Sequence, residues 1–275
     1  MSDDPEGGAA GQRPASRAPR SSDFGGAASE RPASRAPSSS DFDVAAGQRP
    51  ASRAHLPSNL AQQVAYAGRL IARAGLVEAF GHVSARRPEG GFLLTAVTPL
   101  LVAEPHELIQ LDAAGRVTGG EKALCPLEAP LHAAIYSACH DVGAIVRTHS
   151  PAAEVWASRG EVPPLVHGLG GLSGVVTFHH EPQLVATLEA GRAAAGDLGA
   201  YDCLLLHANG AACTGDSVPE AVVRAWYLEE RSRVAEHARR ARALTDSEAV
   251  LRARHYEAEA QRAWDWLRLR FGDAN

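Results

Sequence analysis

The sequence predicts an α/β fold: a three-layer α/β/α domain with a central, mainly antiparallel or mixed sheet over residues 56–275. Two observations favour this class. Short apolar segments bounded by Gly, Pro, Asp or Glu alternate with segments of helical periodicity, which is the pattern of strands interleaved with helices. The chain then ends in two long helical patterns, which is consistent with helical layers around a sheet.

The first element is a helix over residues 60–74. Its apolar residues recur on one helical face and are Leu60, Val64, Ala67, Leu70, Ile71 and Ala74. We expect Ser58 or Asn59 to cap its N-terminus and Gly75 to end it, because a short polar side chain and a glycine are typical of those positions.

The later elements alternate between the two types. Strands are predicted at 92–95, 108–112, 144–148, 174–178 and 202–207. Helices are predicted at 127–138, 150–159, 182–195, 217–243 and 246–271. The helix at 127–138 places Glu128 and His132 on one face, because they are four residues apart.

Residues 1–55 have a different composition, dominated by Ala, Ser, Gly, Pro, Arg and Asp. The hexapeptide RPASRA recurs with a period of 18 residues, at 13–18, 31–36 and 49–54. Such a tract buries too little apolar surface to offset chain entropy, so we expect a disordered tail. An inert tandem duplication is favoured over an interaction tail.

Composition excludes several functional classes. The chain has no apolar core of a signal peptide and no run of about 20 apolar residues, so no membrane association is expected. Its four cysteines lie far apart without a CxxC pair, which indicates reduced thiols and a cytoplasmic location. A net charge of -5 gives no reason to expect nucleic acid as a partner.

Four short segments follow one another in a fixed order. They are GHVSAR at 81–86, EAPLH at 128–132, VRTHSP at 146–151 and LLLHANG at 204–210. Together they resemble the class II aldolase/adducin family, whose members typically read GNxSxR, E-x-x-x-H, HxHSP and NHG. The resemblance covers nearly all of residues 60–240. It implies a homotetramer with active sites between subunits, one catalytic glutamate and three metal-binding histidines.

The chain departs from the family at two of the three histidine positions. Arg147 stands at the first position, and Asn209 stands at the third. A guanidinium group has no lone pair to give to a metal. Arg147 is therefore expected either to hold a substrate carboxylate through paired hydrogen bonds or to form an ion pair with Glu128 or another acid.

Metal binding is expected first of His149, which matches the second family histidine and leaves the same strand face as Arg147. Asn209 offers a weak oxygen ligand suited to Mg, Mn or Ca. His207 either restores the lost imidazole or is a spectator at the strand end. His132 is expected to be a ligand or the partner of one. The predicted cofactor is a divalent metal ion (Zn, Mn, Fe, Co or Mg).

Glu128 matches the catalytic glutamate and is expected to act as an acid or base. His167 lies in the region where aldolases carry a tyrosine that protonates the substrate from a neighbouring subunit, and histidine exchanges protons nearer neutral pH. The glycine-rich segment 168–174 is expected to be a flexible loop. The adjacent His179 and His180 would face opposite ways in a strand.

Sugar-phosphate aldolases of this family bind phosphate through small polar residues at three places. Here those places hold His82 instead of Asn, a segment at 95–100 without glycine, and Pro126 and Leu127 before Glu128. A phosphorylated substrate is therefore not expected. The residues predicted to bind the substrate are Arg147, His82 and Ser84.

The GHVS opening, the RTHSP and NG variants and the segment at 262–264 are similar to the decarboxylase branch of the family. The first interpretation is a metal-assisted carbon–carbon lyase, a decarboxylase of a non-phosphorylated hydroxy or keto carboxylic acid of hydroxyaromatic, pyridine or muconic type. One alternative is an aldolase for a non-phosphorylated hydroxy-keto acid. Another is an adducin-like assembly module without catalysis.

Overall fold

A computed structural model describes residues 59–238 and 240–273 of the chain. The repeats predicted in the tail at 1–55 lie outside these residues. The α-helices are α1 (Leu60–Arg73), α2 (Ala129–Ala138), α3 (Pro151–Arg159), α4 (Leu188–Leu198), α5 (Val218–His237), α6 (Asp246–Arg252) and α7 (Tyr256–Phe271). The strands are β1 (His82–Arg86), β2 (Phe92–Leu94), β3 (Ile109–Leu111), β4 (Val117–Gly119), β5 (Ala144–Thr148), β6 (Val176–His179), β7 (Cys203–Leu206) and β8 (Ala211–Gly215).

The strands form one sheet in the order β4-β3-β2-β1-β5-β8-β7-β6. Every neighbouring pair is antiparallel except β6 and β7, which are parallel. The predicted α/β class with a mainly antiparallel, mixed sheet is therefore confirmed.

Each face of the sheet carries its own hydrophobic core. Residues of α1, α3, α5 and α7 pack against one face, with Val83 and Val146 among the strand residues that meet them. Residues of α2 and α4 pack against the other face, where Ile145 and Leu204 meet them. Because side chains alternate along a strand, consecutive residues of β5 contribute to opposite cores. This is the predicted three-layer arrangement.

Helix α1 begins where the sequence places its cap. The side chain of Asn59, one of the two predicted caps, accepts a hydrogen bond from the backbone N–H of Gln62 at 2.8 Å. The buried face includes Leu70 and Ile71, as the apolar periodicity predicts. The helix ends before Gly75, which has a φ of 74°.

The structure corrects several predicted elements. The segment at 168–174, predicted to be a flexible loop, is a 3₁₀ helix over Gly168–Ser173. It is held because the buried Arg231 of α5 reaches Ser173 Oγ at 3.4 Å. Helix α4 begins at Leu188 rather than at 182, because the Thr187 side chain caps it.

The helix predicted at 246–271 is divided into α6 and α7. Strands β1, β4 and β8 were not predicted, because each is short and lacks a long apolar run.

None of the helices within 59–238 and 240–273 is long and apolar enough to cross a membrane.

Candidate active site

Four elements bring polar side chains together on the α2 side of the sheet. His82 on β1 and Arg147 on β5 are Cα partners in the antiparallel β1–β5 pair. Glu128 is the residue that immediately precedes α2, at its N-cap. Asn209 lies in the turn between β7 and β8. Long-range strand pairing therefore assembles residues that are far apart in sequence.

The Arg147 side chain is completely buried, at 0% exposure. Its Nε lies 3.2 Å from Glu128 Oε2, although this N–H is not aligned for a hydrogen bond. Nη2 donates to Glu128 Oε1 at 3.4 Å, and Nη1 donates to the carbonyls of Thr148 and Ala211 at 2.7 and 3.4 Å. A Cβ added at Gly210 would collide with the backbone carbonyl oxygen of Thr148, and Gly210 has a φ of 67°, which explains why a glycine ends this turn.

The Glu128 carboxylate is surrounded by donors. Besides its contact with Arg147, it accepts a hydrogen bond from Asn209 Nδ2 at 3.3 Å, and His82 Nε2 lies 3.6 Å from its Oε2. Burial alone would raise the pKa of Glu128, but the His82 imidazole and the Arg147 charge outweigh it and lower the pKa to about 2. Glu128 is therefore ionised at neutral pH.

Behind His82 lies a line of buried polar side chains. His82 Nδ1 is 2.8 Å from His132 Nε2, and His132 Nδ1 is 2.7 Å from Ser84 Oγ. Ser84 Oγ is in turn 2.8 Å from Tyr136 Oη. Burial lowers the pKa of both His82 and His132, so both rings are neutral near pH 7.

Arg86 connects strand β1 to the C-terminal end of α2. It lies two residues after Ser84, on the same face of the strand. Its Nη2 donates to the carbonyls of Tyr136 and Cys139 at 2.8 and 2.9 Å, and its Nε donates to the carbonyl of Val142 at 2.9 Å. A cation is favourable at the C-terminus of a helix, where carbonyls lack intrahelical partners. The three alternate residues His82, Ser84 and Arg86 thus fix the position of α2 relative to β1.

Among the contacts of residues 59–238 and 240–273, no hydrogen bond or ion pair joins the predicted ligands His149 and His207 to Glu128. His149 follows β5 and is half-buried, with Nδ1 3.5 Å from Glu154 Oε2. Burial, followed by the Arg147 charge, lowers the pKa of His149 to about 4. His207 Nδ1 lies 3.0 Å from the carbonyl oxygen of His180 and is the donor if it carries the proton.

The remaining histidines are spread along the chain. His167 precedes the 3₁₀ helix, its Nε2 is buried without a hydrogen-bond partner, and burial lowers its pKa. Across the described ranges, no hydrogen bond or ion pair joins His167 to Glu128. His179 is buried while His180 is exposed, as strand alternation predicts.

The model of the class II aldolase and adducin N-terminal domain matches residues 62–235. The chain belongs to this family.

Relatives of this class II aldolase-family protein agree on the fold. Decarboxylase tropJ from Talaromyces stipitatus is 24% identical over 209 residues, covering 66% of this chain and 77% of that relative. An L-fuculose 1-phosphate aldolase structure has a TM-score of 0.65 at 20% identity, covering 73% of this chain and 97% of that one. YgbL from Escherichia coli has a TM-score of 0.62 at 20% identity, covering 70% and 96%.

Class II aldolases generally use a divalent metal ion. We therefore compare the predicted ligands of this chain with the arrangement that a metal ion requires. The four predicted ligands are His132, His149, His207 and Asn209. Both ring nitrogens of His132 lie within hydrogen-bond distance of His82 or Ser84. Within 59–238 and 240–273, no three His, Cys, Asp or Glu residues are grouped to hold a metal.

The charge at the site argues in the same direction. Arg147, which the motif aligns with the family's first histidine, carries a permanent positive charge, and a dication beside its guanidinium would be repelled. The donor set therefore does not fit a metal centre of the family type. Metal binding by the four residues stays a prediction.

Sequence reasoning missed two residues of the site, Tyr136 and Arg86. A signal for Tyr136 was present: Glu128, His132 and Tyr136 are spaced four and eight residues apart, which places them along one helical face. Arg86 was part of the recognised motif, but its role emerges only once α2 is packed against β1.

Proposed function

We propose that this class II aldolase-family protein is a carbon–carbon lyase that decarboxylates a non-phosphorylated hydroxy or keto carboxylic acid of hydroxyaromatic, pyridine or muconic type. The observation that carries the proposal is the ionised Glu128 held between Arg147, His82 and Asn209. The printed name of the tropJ relative, a decarboxylase, supports the same reaction class.

The absence of a phosphate cradle supports a non-phosphorylated substrate. His82, which replaces the family asparagine, is buried and turned toward His132 and Glu128. The Thr95 side chain is fully buried, and its hydroxyl accepts a hydrogen bond from the backbone N–H of Val83 at 3.1 Å, so it is not exposed to a phosphate. Leu127 is 72% exposed where the aldolases carry a small hydroxyl residue.

Two exposed apolar residues that neighbour site residues in the chain support an aromatic or unsaturated substrate. Leu127 directly precedes Glu128, and Phe80, two residues before His82, is 75% exposed. Contact with such side chains favours an apolar ring, whereas a sugar phosphate would gain little from it.

Decarboxylation breaks the carbon–carbon bond to the carboxylate, leaves the electron pair on the substrate and requires a proton at that carbon. Glu128 is ionised, so it enters the reaction as a proton acceptor, for example from a substrate hydroxyl group. Arg147 and Asn209 hold the carboxylate of Glu128 in one orientation. Because the donor set does not fit a metal centre, no step is assigned to one.

The proton at the cleaved carbon comes either from Glu128 once it has accepted one or from a separate donor. His167 keeps this role as a prediction, with a second copy of the chain bringing it to the site. Class II aldolase relatives are typically oligomeric and bind small molecules. A homotetramer with sites between subunits, located in the cytoplasm, is accordingly part of the proposal.

A panel of carboxylic acids tests the proposal. The full chain is incubated with hydroxyaromatic, pyridine and muconic carboxylates, and CO2 release is measured beside a Glu128→Gln control. We expect release with at least one acid, and loss of release in the variant. Aldehyde formation from hydroxy-keto acids without CO2 would instead establish an aldolase. No turnover of either class would favour an assembly module.

A further inference from the structure

A line of buried polar side chains runs from Glu128 to Tyr136, and its first contact, between His82 Nε2 and Glu128 Oε2, is 3.6 Å long. It passes through His82, His132 and Ser84, and the three hydrogen bonds behind Glu128 have lengths of 2.7–2.8 Å. All five residues are at most 7% exposed. Water therefore has little access to the line, and each hydrogen must be supplied by a member of the line.

The carboxylate at one end sets the direction of the line. Ionised Glu128 only accepts hydrogen bonds, so the neighbouring Nε2 of His82 must carry the hydrogen. The 2.8 Å contact between His82 Nδ1 and His132 Nε2 has room for one hydrogen only. With the hydrogen of His82 on Nε2, His82 Nδ1 accepts from His132 Nε2–H, and His132 Nδ1 accepts from the Ser84 hydroxyl at 2.7 Å.

The far end agrees with this direction. Once Ser84 donates to His132, its oxygen can accept from the Tyr136 hydroxyl. Burial raises the pKa of Tyr136, which keeps this hydroxyl protonated. Tyr136 is thus the first donor of the line and Glu128 is the last acceptor.

The opposite direction leaves a repulsive contact. If His132 carried its hydrogen on Nδ1, its Nε2 would have to accept from His82 Nδ1–H. Neutral His82 would then point a bare nitrogen at the Glu128 carboxylate, 3.6 Å away. Two lone pairs facing each other in a buried site cost free energy, so the first direction prevails.

We propose that His132 is a positioning residue: together with Ser84 and Tyr136 it locks His82 as the Nε2–H tautomer and aims that N–H at the Glu128 carboxylate. The structure assigns His132 this role because both of its ring nitrogens are engaged and it is 0% exposed. Its kinetic consequence rests on the proposed lyase function, whereas the tautomers do not depend on it.

Nitrogen-15 NMR of the full chain labelled at histidine tests the tautomers directly. Signals are assigned by comparison with His82→Gln and His132→Gln. We expect hydrogen on Nε2, and a bare Nδ1, in both His82 and His132 at neutral pH. Hydrogen on Nδ1 of either ring, or a doubly protonated ring, would overturn the proposal whatever the substrate proves to be.

Kinetics of two matched variants test the positioning role. In His132→Gln the side-chain amide can still donate to His82 Nδ1, whereas His132→Leu has no donor. We expect His132→Leu to lower kcat about 3- to 10-fold with little change in KM, the loss of one buried hydrogen bond. His132→Gln should recover most of this loss. Equal kcat in the wild type and both folded variants would refute the positioning role, and the NMR result stands even if no turnover is found.

Discussion

The guanidinium of Arg147 and the carboxylate of Glu128 form an ion pair in the interior of the protein, with Nε 3.2 Å from Oε2 and side chains 0% and 7% exposed. Sequence analysis left two roles open for Arg147, a grip on a substrate carboxylate and an ion pair with Glu128. The geometry favours the second, because the fully buried guanidinium already contacts Glu128 and two carbonyl groups.

Removing one partner of this ion pair should lower the free energy of unfolding. Arg147→Met leaves the Glu128 charge buried without its partner, so we expect a loss of about 3–5 kcal/mol in the free energy of unfolding. Glu128→Gln in the same chain removes the stranded charge, so the double variant should be more stable than the sum of the single losses predicts. Urea unfolding of the four proteins measures the coupling. Losses that add within about 0.5 kcal/mol would show that the two side chains are independent.

The extent of the sequence-based prediction differs between fold and site. The order of most helices and strands followed from periodicity, and the cap Asn59 followed from local hydrogen bonding. Glu128 and Arg147 were named from their motif positions. Their pairing depends on the β1–β5 register and on the packing of α2, which no local pattern encodes. The line through Ser84 and Tyr136 stayed hidden for the same reason.

Stability should fall as the pH is lowered from about 6.5 to 4. Burial lowers the pKa of His82 and His132 in the folded state, and lowers that of His149 to about 4. The histidines of the unfolded chain have ordinary pKa values, so they bind protons at a higher pH than those of the folded protein. Protonation therefore favours the unfolded chain, and the free energy of unfolding decreases as the pH drops. Glu128, with a pKa of about 2, adds a further loss only below its ordinary value of 4.5.

Urea unfolding at several pH values checks this dependence. The His149→Gln variant serves as the control, since it should show a shallower decline between pH 6.5 and 4. A free energy of unfolding that is constant over this interval would contradict the lowered histidine pKa values.

Restoring the family's ligand pattern should raise zinc affinity. Arg147→His together with Asn209→His replaces a group without lone pairs and a weak amide ligand by two imidazoles. Elemental analysis of the purified double variant should therefore find more zinc per chain than the wild type retains. Adding His149→Ala should remove the gain, because His149 is the expected third imidazole of the family pattern. Equal zinc in all three proteins would mean that these positions do not converge on one ion.

Removing residues 1–55 should leave melting temperature, oligomeric state and activity unchanged. The tract has almost no large apolar side chains and so nothing to add to a core. Thermal melts and light scattering of the shortened and full chains make the comparison. An earlier melt or a smaller oligomer in the shortened chain would assign the repeats a structural role.

The most direct test of the proposed reaction follows one labelled carbon. A hydroxyaromatic acid labelled with carbon-13 at its carboxyl group is given to the wild type and to Glu128→Gln at neutral pH. We expect labelled CO2 from the wild type and a rate about 10²- to 10⁴-fold lower in the variant, the usual contribution of a positioned acid or base. Labelled CO2 formed equally fast by both proteins would contradict the role of Glu128. A substrate cleaved with its label retained in a larger fragment would contradict decarboxylation itself.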